Sequence, residues 1–363
     1  MKRVLNVLSS LDGGGVEAMI TNYYYNFKGN NIKFDFIVHN PKVGFLESKL
    51  IKDGSSIFHV TPKKVSILKN FKELFSIIDK NEYDIIYCHQ NFISWIPLFI
   101  AKIKGVKVRI VHSHGCNPSK KLLKKIVNIV ERFLIKAFAT NFFACGIRAS
   151  KWLYGKNWSL NYPKNVIINN AIDIDKFSFD KNLRESLRKK FKLENKICLF
   201  HAGRFSAEKN HKFLIDLISK LDPEKYCLFL AGNGELYDDI IKYCNDLQLQ
   251  NVTFLGIRTD VNNLYLMADV FLLPSFHEGF PVTLVEAQAS SLKCIASTNV
   301  STETKFLNKT KFLPLDDVDK WIEEINNVDI FDRKTENEIL SDKGFNIKIE
   351  SQKLYDLLIK ICE

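Results

Sequence analysis

The sequence has few of the features that mark secreted, membrane-spanning or zinc-stabilised proteins. Its 8 cysteines are scattered and contain no CxxC pair, which favours reduced thiols in a cytosolic protein over disulfides or a structural zinc site. The most apolar segment, residues 92–103, falls well short of the roughly 20 residues that a membrane helix needs. The opening MKRVLNVLSS has an apolar stretch too short for a signal peptide. We therefore expect a globular protein of the cytoplasm.

Two common nucleotide-binding patterns are missing as well. The first glycine run is not a GxGxxG followed by a ribose-binding acid, since the second predicted strand ends in Val38-His39-Asn40. A nicotinamide cofactor is accordingly not expected. The glycine turn of the second half lacks the GK[ST] of a phosphate-binding loop, which argues against hydrolysis of a nucleoside triphosphate.

The positive charge of the chain lies in its first half. Residues 1–168 contain 26 lysines and arginines against 10 acidic residues, a net charge of +16, whereas residues 169–363 contain 26 against 31, a net charge of −5. A basic half of this kind suggests an anionic partner, which is a nucleic acid, a phospholipid surface or a phosphorylated substrate.

Short apolar runs alternate with helical patterns along the whole chain. In the first half the runs predict strands at residues 3–9, 34–39, 56–60, 84–89, 108–114, 141–145 and 166–168. The rhythm restarts after Asp175, with strands at 197–201, 226–231, 252–255, 270–274 and 294–297. This alternation predicts an α/β fold of two Rossmann-like, doubly wound parallel-sheet domains facing each other across a cleft. At 363 residues the chain is long enough for both. We place them at 1–170 and 171–345, with a terminal helix in 346–363 that packs back on the N-terminal domain.

Two polar groups follow strands of the first domain. Gly14 and Gly15 belong to the run Asp12–Glu17, which opens a helix and would let the backbone approach an anion, although a tight turn explains it as well. His112 and His114 end the fifth strand and share a face if the strand continues that far. A metal is not indicated, because no nearby carboxylate or cysteine completes a ligand set. We expect His114, followed by the turn residue Gly115, to contact substrate.

A basic amphipathic segment, residues 119–136, allows two interpretations. Its apolar residues recur at helical spacing, and its first turns contain a cluster of lysines at 120, 121, 124 and 125. One interpretation is a helix that covers the sheet and exposes a basic face to solvent. The other is an interfacial helix that contacts anionic lipid.

Glycines and cations follow the strands of the second domain. Gly203 frees the backbone after the first strand, and Arg204 and Lys209 are placed to clamp a diphosphate from two sides. Gly232 and Gly256 end the next two strands and could present backbone to a base or a ribose, although each alone is more simply a turn.

The stretch PSFHEGFPVTLVE, residues 274–286, brings two carboxylates to the start of a helix. Glu278 lies in the loop and Glu286 about two turns along the helix, with Gly279, Phe280 and Pro281 between them. Carboxylates accept hydrogen bonds from hydroxyls, and the free amides of a helix N-terminus favour anions. The pattern indicates a polyhydroxyl ligand that has a phosphate.

The order of these motifs resembles a known family. HAGRFSAEKN, LAGNGEL, VTFLG and ADVFLLPSFHEGFPVTLVEA, with an E-x7-E signature at Glu278 and Glu286, resemble the donor domain of retaining GT-B glycosyltransferases of family 4. LDGGGVE, VRIVHSHG and INNAIDIDKF resemble the acceptor domain and connection of the same family, and its exopolysaccharide and capsule branch is the most similar. The resemblance is specific over residues 197–290 and looser before them. Asn169-Asn-Ala171 departs from the Asn-Gly of many relatives.

The resemblance implies transfer of a sugar from a nucleotide diphosphate sugar, typically UDP-linked, to an acceptor hydroxyl, with retention and without a metal or other cofactor. Arg204 and Lys209 would neutralise the departing diphosphate, Glu286 would bind the ribose, and Glu278 with the following backbone would bind the donor sugar. His114 would contact that sugar near the reacting carbon, and Gly14 and Gly15 would approach the diphosphate or the acceptor.

The expected partners are therefore a nucleotide sugar, a glycan or lipid-linked acceptor, and an anionic membrane met by the basic N-terminal domain at the inner face of the cell membrane. A GT-B-like nucleotide-sugar epimerase is the enzymatic alternative. A basic nucleic-acid-binding protein is a distant one, since the aromatic interleaving and recognised modules of that class are missing. We expect no nucleic acid.

Overall fold

A computed structural model of the protein describes residues 1–12, 14–27, 31–80, 83–115, 121–193, 195–329, 333 and 336–363, with backbone alone for 79 and 80. Gly13 of the run Asp12–Glu17, Lys120, and Cys116, which is one of the 8 cysteines, lie outside the described residues. The chain divides into two units, one made of Met1–Ala171 with Ile347–Glu363 and the other of Ile172–Asn346. These bounds differ by one residue from the domain limits of 170 and 345 expected from the sequence.

The first unit contains a parallel sheet of 7 strands, in the order β3-β2-β1-β4-β5-β6-β7. The strands are β1 Lys2–Leu8, β2 Ile32–Val38, β3 Ile57–His59, β4 Ile85–Cys88, β5 Val108–Ser113, β6 Asn141–Ala144 and β7 Asn165–Ile167. They alternate with the helices α1 Gly15–Asn26, α2 Glu47–Lys52, α3 Ile67–Lys80, α4 Trp95–Ile103, α5 Leu122–Phe138 and α6 Ile147–Tyr154, and a 3-10 turn at Asn91–Ser94. The βαβ alternation predicted from the sequence is confirmed here.

The second unit contains a parallel sheet of 6 strands, in the order β10-β9-β8-β11-β12-β13. Its helices are α7 Ile174–Phe177, α8 Lys181–Lys190, α9 His211–Ile218, α10 Tyr237–Asp246, α11 Val261–Met267, α12 Val282–Ala289, α13 Val318–Asn326 and α14 Asn337–Asp342. Its strands are β8 Ile197–Ala202, β9 Tyr226–Ala231, β10 Val252–Gly256, β11 Val270–Leu273, β12 Lys293–Ser297 and β13 Thr310–Leu313, with 3-10 turns at Ala207–Lys209 and Thr302–Thr304. The edge strand β13 was missed from the sequence, because its Thr-Lys-Phe-Leu run is short and only Thr310 is buried.

Both sheets are covered on their two faces, which explains why their inner strands are apolar without alternation. All residues of β9 and of β11 are buried. Two apolar clusters cover the faces of the first sheet and two cover the faces of the second, so each unit has its own core.

The final helix, α15 Ile347–Lys360, belongs to the first unit. Its apolar residues Ile347, Leu354 and Leu358 join the core that lines α1 and β1. Ser351 Oγ donates a hydrogen bond to the carbonyl of Asn26 at 3.0 Å. The chain thus enters the second unit after residue 171 and returns to the first for its last helix.

A buried ion cluster anchors α8 to the second sheet. Arg188 Nη1 lies 2.8 Å from Oδ2 of Asp269, and Arg184 binds the other carboxylate oxygen. The amide of Cys198 also donates to Asp269, at 2.7 Å. Because every charge in the cluster has a partner, the cost of burying it is offset. Asp269 fixes the positions of β8 and β11, the two strands on which the candidate site is built.

Candidate functional site

The second sheet reverses its strand order between β8 and β11. β9 and β10 lie on one side of β8, while β11, β12 and β13 lie on the other. Ligands of open α/β sheets bind beyond the carboxyl ends of the strands at such a reversal. The segments after β8 and β11 therefore form the candidate ligand site of this unit, and they contain Arg204, Lys209 and residues 274–281.

Lys209 and Glu278 form an ion pair at this reversal. Nζ of Lys209 lies 2.5 Å from Oε1 of Glu278, and that oxygen also accepts a hydrogen bond from Ser275 Oγ at 2.8 Å. Both charged side chains are largely buried, with 19% and 12% of their surface exposed. The amide of Phe276 donates to the carbonyl of Glu208 at 2.8 Å and joins the two segments again. The structure thus brings these two predicted residues together as a neutralised pair.

The glycines that follow the strands lie where neighbouring backbone segments approach each other closely. Gly232 has a φ of +133°, and a Cβ there would lie 2.0 Å from the carbonyl oxygen of Gly203. A Cβ on Gly203 would lie 2.9 Å from Nε2 of His201. Gly256, with a φ of +63°, accepts a hydrogen bond from the amide of Gly232 at 2.8 Å. All three predicted glycines adjoin one another along the sheet edge, and only glycine fits at Gly203 and Gly232 without rearrangement.

Arg204 lies on the surface beside two carboxylates. Its Nε is 3.1 Å from Oε2 of Glu235, and 73% of its side chain is exposed. Glu208 is the second carboxylate, and its pKa is lowered by its own backbone amide, by Ser206, and by the charges of Arg204 and His277. Arg204 and Lys209 are thus each held by a carboxylate of their own, which the clamp predicted from the sequence did not anticipate.

Glu286 is held by Tyr265 rather than by the pair around Glu278. The hydroxyl of Tyr265 donates to Oε2 of Glu286 at 2.9 Å and also reaches the carbonyl of Thr283 at 3.2 Å. Burial raises the pKa of Glu286 to about 7, although the hydrogen bond from Tyr265 opposes this shift. The carboxyl therefore exchanges its proton near neutral pH and accepts ligand hydroxyls most strongly once it is ionised.

The residues between the two glutamates lead into α12. Pro281 is the N-cap of this helix, and its carbonyl accepts from the amide of Leu284 at 3.1 Å. The ring of Phe280 stacks on that of Phe345, with centroids 5.3 Å apart. Gly279 and Phe280 are thereby fixed between an ion pair and an aromatic stack, so the loop presents its backbone from an ordered position.

The first sheet has its own reversal, between β1 and β4. After β1, Gly14 is the N-cap of α1, and a Cβ there would lie 2.6 Å from Oε2 of Glu17. A Cβ on Gly15 would meet nothing within 4 Å. A side chain at Gly14 would only require the Glu17 carboxylate to move, and the space beside Gly15 is open.

A hydrogen-bonded chain runs through the same reversal to His114. Asn6 Nδ2 donates to the carbonyl of Asp35 at 3.4 Å, which leaves its Oδ1 to accept from Nε2 of His89 at 3.3 Å. Nδ1 of His89 lies 2.8 Å from Nε2 of His114. Burial lowers the pKa of His89 well below 6.5 and that of His114 to about 3, so both rings are neutral at neutral pH.

The chain of donors and acceptors fixes the tautomers of both rings. Because Asn6 Oδ1 can only accept, His89 has its proton on Nε2 and accepts at Nδ1. His114 then donates from Nε2, and its Nδ1 has a lone pair. Among the described residues, no hydrogen-bond partner reaches this Nδ1. It is therefore a buried acceptor that has no partner among those residues.

His112 is held in a different way from His114. It is fully buried, and its Nδ1 lies 2.8 Å from the hydroxyl of Tyr87. β5 ends at Ser113, so His114 lies just beyond the strand, yet the two imidazoles stack with centroids 3.9 Å apart. His114 is partly buried and follows the strand end, which favours it over His112 as the ligand-contacting residue.

The three histidines are the one group in the described part of the chain that could hold a metal ion. One nitrogen of each of His89, His112 and His114 lies within 4.8 Å of the others. Neutral imidazoles are suitable zinc ligands, but the facing nitrogens of His89 and His114 already bond to each other. The three histidines therefore fit a hydrogen-bonded chain in which one N–H donates at each hydrogen bond.

Several contacts of the site were not predicted, namely those of Asn6, His89, Ser275, Glu208, Glu235 and Tyr265. His89 follows the buried run Ile85–Cys88 directly, so the position that singled out His114 could also have identified it. Asn6 and Tyr265 lie inside a strand and a helix, where no pattern of the sequence distinguishes them from ordinary core residues.

Comparisons with known proteins bear on this geometry. The family described as Glycosyl transferases group 1 matches residues 183–343. A Bacillus subtilis (strain 168) protein named as glycosyltransferase EpsF is 30% identical over 312 residues, which cover 83% of this chain and 80% of that protein. The chain belongs to the group 1 family of glycosyltransferases. Its motifs therefore belong to a sugar-transferring enzyme, as their resemblance implied.

Two further similarities extend over most of this glycosyltransferase. An Escherichia coli enzyme named UDP-Gal:alpha-D-GlcNAc-diphosphoundecaprenol alpha-1,3-galactosyltransferase is 29% identical over 324 residues, which cover 82% of this chain and 81% of that enzyme. The crystal structure of Anabaena Alr3699/HepE in complex with UDP-glucose has a TM-score of 0.79 and 17% identity, covering 99% of this chain and 100% of that one. The fold is thus GT-B, with two parallel-sheet α/β domains, while the expected cleft stays a prediction.

Proposed function

We propose that this glycosyltransferase moves a sugar from a UDP-linked donor to a hydroxyl of a glycan or lipid-linked oligosaccharide, in the synthesis of a bacterial surface polysaccharide. The relative from Escherichia coli has a UDP-sugar and a diphosphoundecaprenol acceptor in its name, and the Anabaena protein was crystallised with UDP-glucose. The motifs resemble the exopolysaccharide and capsule branch of family 4. The observation that carries the proposal is the buried pair of Lys209 and Glu278 at the strand reversal.

The proposed reaction retains the anomeric configuration and needs no metal or other cofactor. The bond between the anomeric carbon and the diphosphate oxygen breaks, the acceptor oxygen bonds to the same face of that carbon, and the acceptor proton passes to the departing phosphate. Lys209 and Arg204 neutralise the charge that develops on the leaving group. A bound diphosphate draws Lys209 away from Glu278, which frees that carboxylate for hydroxyls of the donor sugar.

The other site residues bind and orient. We assign the ribose hydroxyls to Glu286 and the donor sugar to Glu278 with the backbone of residues 279–281. Nδ1 of His114 accepts a hydrogen bond from a hydroxyl of the same sugar. Gly14 and Gly15 approach the diphosphate or the acceptor, while Gly203, Gly232 and Gly256 give the nucleotide close access to the backbone.

A lipid-linked acceptor places the enzyme at the inner face of the cell membrane, with the basic N-terminal half toward anionic lipid. In the part of the chain that the structure describes, no helix is both long and apolar enough to span a bilayer. We propose peripheral contact, supported by the net charge of +16 over residues 1–168. Nucleic acid is not proposed as a partner.

Replacing Lys209 tests the observation that carries the proposal. Lys209→Ala should lower kcat by roughly 10²-fold, because it removes a charge that stabilises the leaving group. Lys212→Ala is the matched control, since Lys212 is exposed and paired with Asp216. Steady-state turnover of both variants decides the matter, and equal loss in both, or near-normal turnover in Lys209→Ala, contradicts the assigned role.

The reaction itself is tested by its products. UDP-sugars are screened for those that raise the unfolding temperature, since a ligand that binds the folded state stabilises it by mass action. The selected donor is then incubated with bacterial membrane lipid extract and excess EDTA. We expect free UDP and a glycosylated lipid whose new linkage has the anomeric configuration of the donor. An isomerised UDP-sugar without transfer would indicate an epimerase, and loss of turnover in EDTA would refute metal independence.

A further inference from the structure

Helix α5 exposes a broad apolar face. Leu122, Ile126, Ile129 and Phe133 are exposed by 72%, 51%, 60% and 72%. Their spacing of four, three and four residues places them on one side of the helix, in a stripe about 16 Å long. Three further exposed residues widen the stripe, namely Leu123, Val127 and Val130.

The side of α5 that faces the domain contains both apolar and polar residues, because Ile135 and Phe138 pack in the core beside Arg132. Arg132 donates to the carbonyls of Leu153 and Trp152 at 2.9 Å each. Ile135 is the one fully buried residue of the helix. Helix α5 therefore covers the sheet with Ile135 and leaves the apolar stripe and its lysines in solvent.

Lysines border the apolar stripe. Lys125 and Lys136 are exposed and lie 11 residues apart, about 60° around the helix from the stripe. A second exposed apolar group, Val65, Ile67 and Leu68, lies in the same unit. Cations thus border the apolar stripe of α5.

We infer that α5 is a membrane-binding helix whose apolar stripe inserts among the headgroups of an anionic bilayer. Insertion removes large apolar side chains from water, and the bordering lysines stay at the level of the lipid phosphates. The charge of the surface favours lipid over a second copy of the chain, since a pair of facing α5 helices would bring their lysines together. The inference deepens the proposed membrane contact and is independent of the donor and of the transfer reaction.

Vesicle flotation of the full-length protein tests this surface. Wild-type protein should bind phosphatidylcholine vesicles that contain phosphatidylglycerol and bind much less to pure phosphatidylcholine. The double variant Ile129→Ser/Phe133→Ser should lose about tenfold or more in binding to the anionic vesicles. Ile349→Ser is the matched control, because Ile349 is exposed by 45% in another helix of the same unit. The double variant should keep its unfolding temperature, since neither side chain packs against the domain.

Two further measurements test separately the lysines in vesicle binding and the apolar stripe in sugar transfer. Lys125→Glu/Lys136→Glu should remove the preference for phosphatidylglycerol and its sensitivity to salt. The Ile129→Ser/Phe133→Ser variant should turn over a water-soluble acceptor normally and a vesicle-borne acceptor poorly. The inference is overturned if this variant binds vesicles as wild type does, or if it converts a dimer to a monomer while vesicle binding stays the same. Failure of transfer to both acceptors would count against the proposed function instead.

Discussion

Two side chains that the sequence singled out, Lys209 and His114, are held in place by opposite means. Lys209 is fixed by the charge of Glu278, and His114 by a neutral chain through His89 to Asn6. Their positions could be predicted because each follows a buried strand. Their partners could not, because Glu278 lies 69 residues from Lys209 and the link from His89 to Asn6 spans 83 residues. Such pairs depend on strand order, which a single sequence does not specify.

His89 should act as a positioning residue for the donor sugar. His89→Leu removes the acceptor that fixes the tautomer of His114, so the hydrogen bond proposed between Nδ1 and a sugar hydroxyl is lost. The affinity for the UDP-sugar should fall roughly three- to tenfold, as for one neutral hydrogen bond, while the affinity for UDP stays unchanged. Calorimetric titration with both ligands measures the difference. His89→Gln should restore part of it, because its amide oxygen can accept from His114; an equal loss for UDP and UDP-sugar would indicate a structural role alone.

Glu286 should make nucleotide binding depend on pH. Its pKa is raised to about 7 by burial, so below that pH the free enzyme has a protonated carboxyl that must ionise to accept two ribose hydroxyls. Affinity for UDP should therefore rise by up to about tenfold per pH unit below the pKa and level off above it. Glu286→Gln should flatten this profile, whereas the exposed Glu224→Gln should not. A wild-type dissociation constant that stays the same between about pH 6 and pH 8 would rule out this role.

At the scale of single elements, the sequence predicts type and order better than orientation. The strand runs were confirmed because parallel strands buried on both faces are continuously apolar, as in Tyr226–Ala231. Helix α5 is an example of an element whose type is predicted and whose orientation is not. Its periodicity reveals two faces but not which one meets the sheet. Amphipathicity alone would turn the whole apolar face inward, but Ile135 faces the core while Ile129 and Phe133 face solvent.

The glycine turns provide a test at this scale. Gly232→Ala should lower the free energy of unfolding by about 2 kcal/mol or more, because the new methyl group meets the carbonyl of Gly203 and the positive φ is unfavourable for alanine. Gly15→Ala should leave stability unchanged, since its Cβ enters open space. Denaturant unfolding of both variants compares them. A raised KM in Gly15→Ala with unchanged stability would support close ligand approach at Gly15, and an unaltered Gly232→Ala would contradict the crowded turn.

At the scale of the whole molecule, the position of a segment in the sequence does not decide which core it joins. Residues 347–363 follow the second unit in sequence but share the core of the first, and the basic half of the chain is the one that exposes α5. The amphipathic pattern of residues 347–361 predicted a helix here. Its placement on α1 depends on contacts with residues more than 300 positions away, such as Ser351 with Asn26.

Replacing a core leucine of α15 by alanine should destabilise the first unit alone. Leu354 is 3% exposed in the cluster that includes Ile20 and Phe34, so Leu354→Ala should cost about 2–5 kcal/mol by lost burial and the cavity that remains. Hydrogen exchange measured by mass spectrometry should then quicken in α1, β1 and α15, while peptides of β8, β9 and β11 keep their protection. Leu217→Ala, in the core of the second unit, is the matched control and should give the reverse pattern. Equal loss of protection in both units after either substitution would show that the two cores unfold as one.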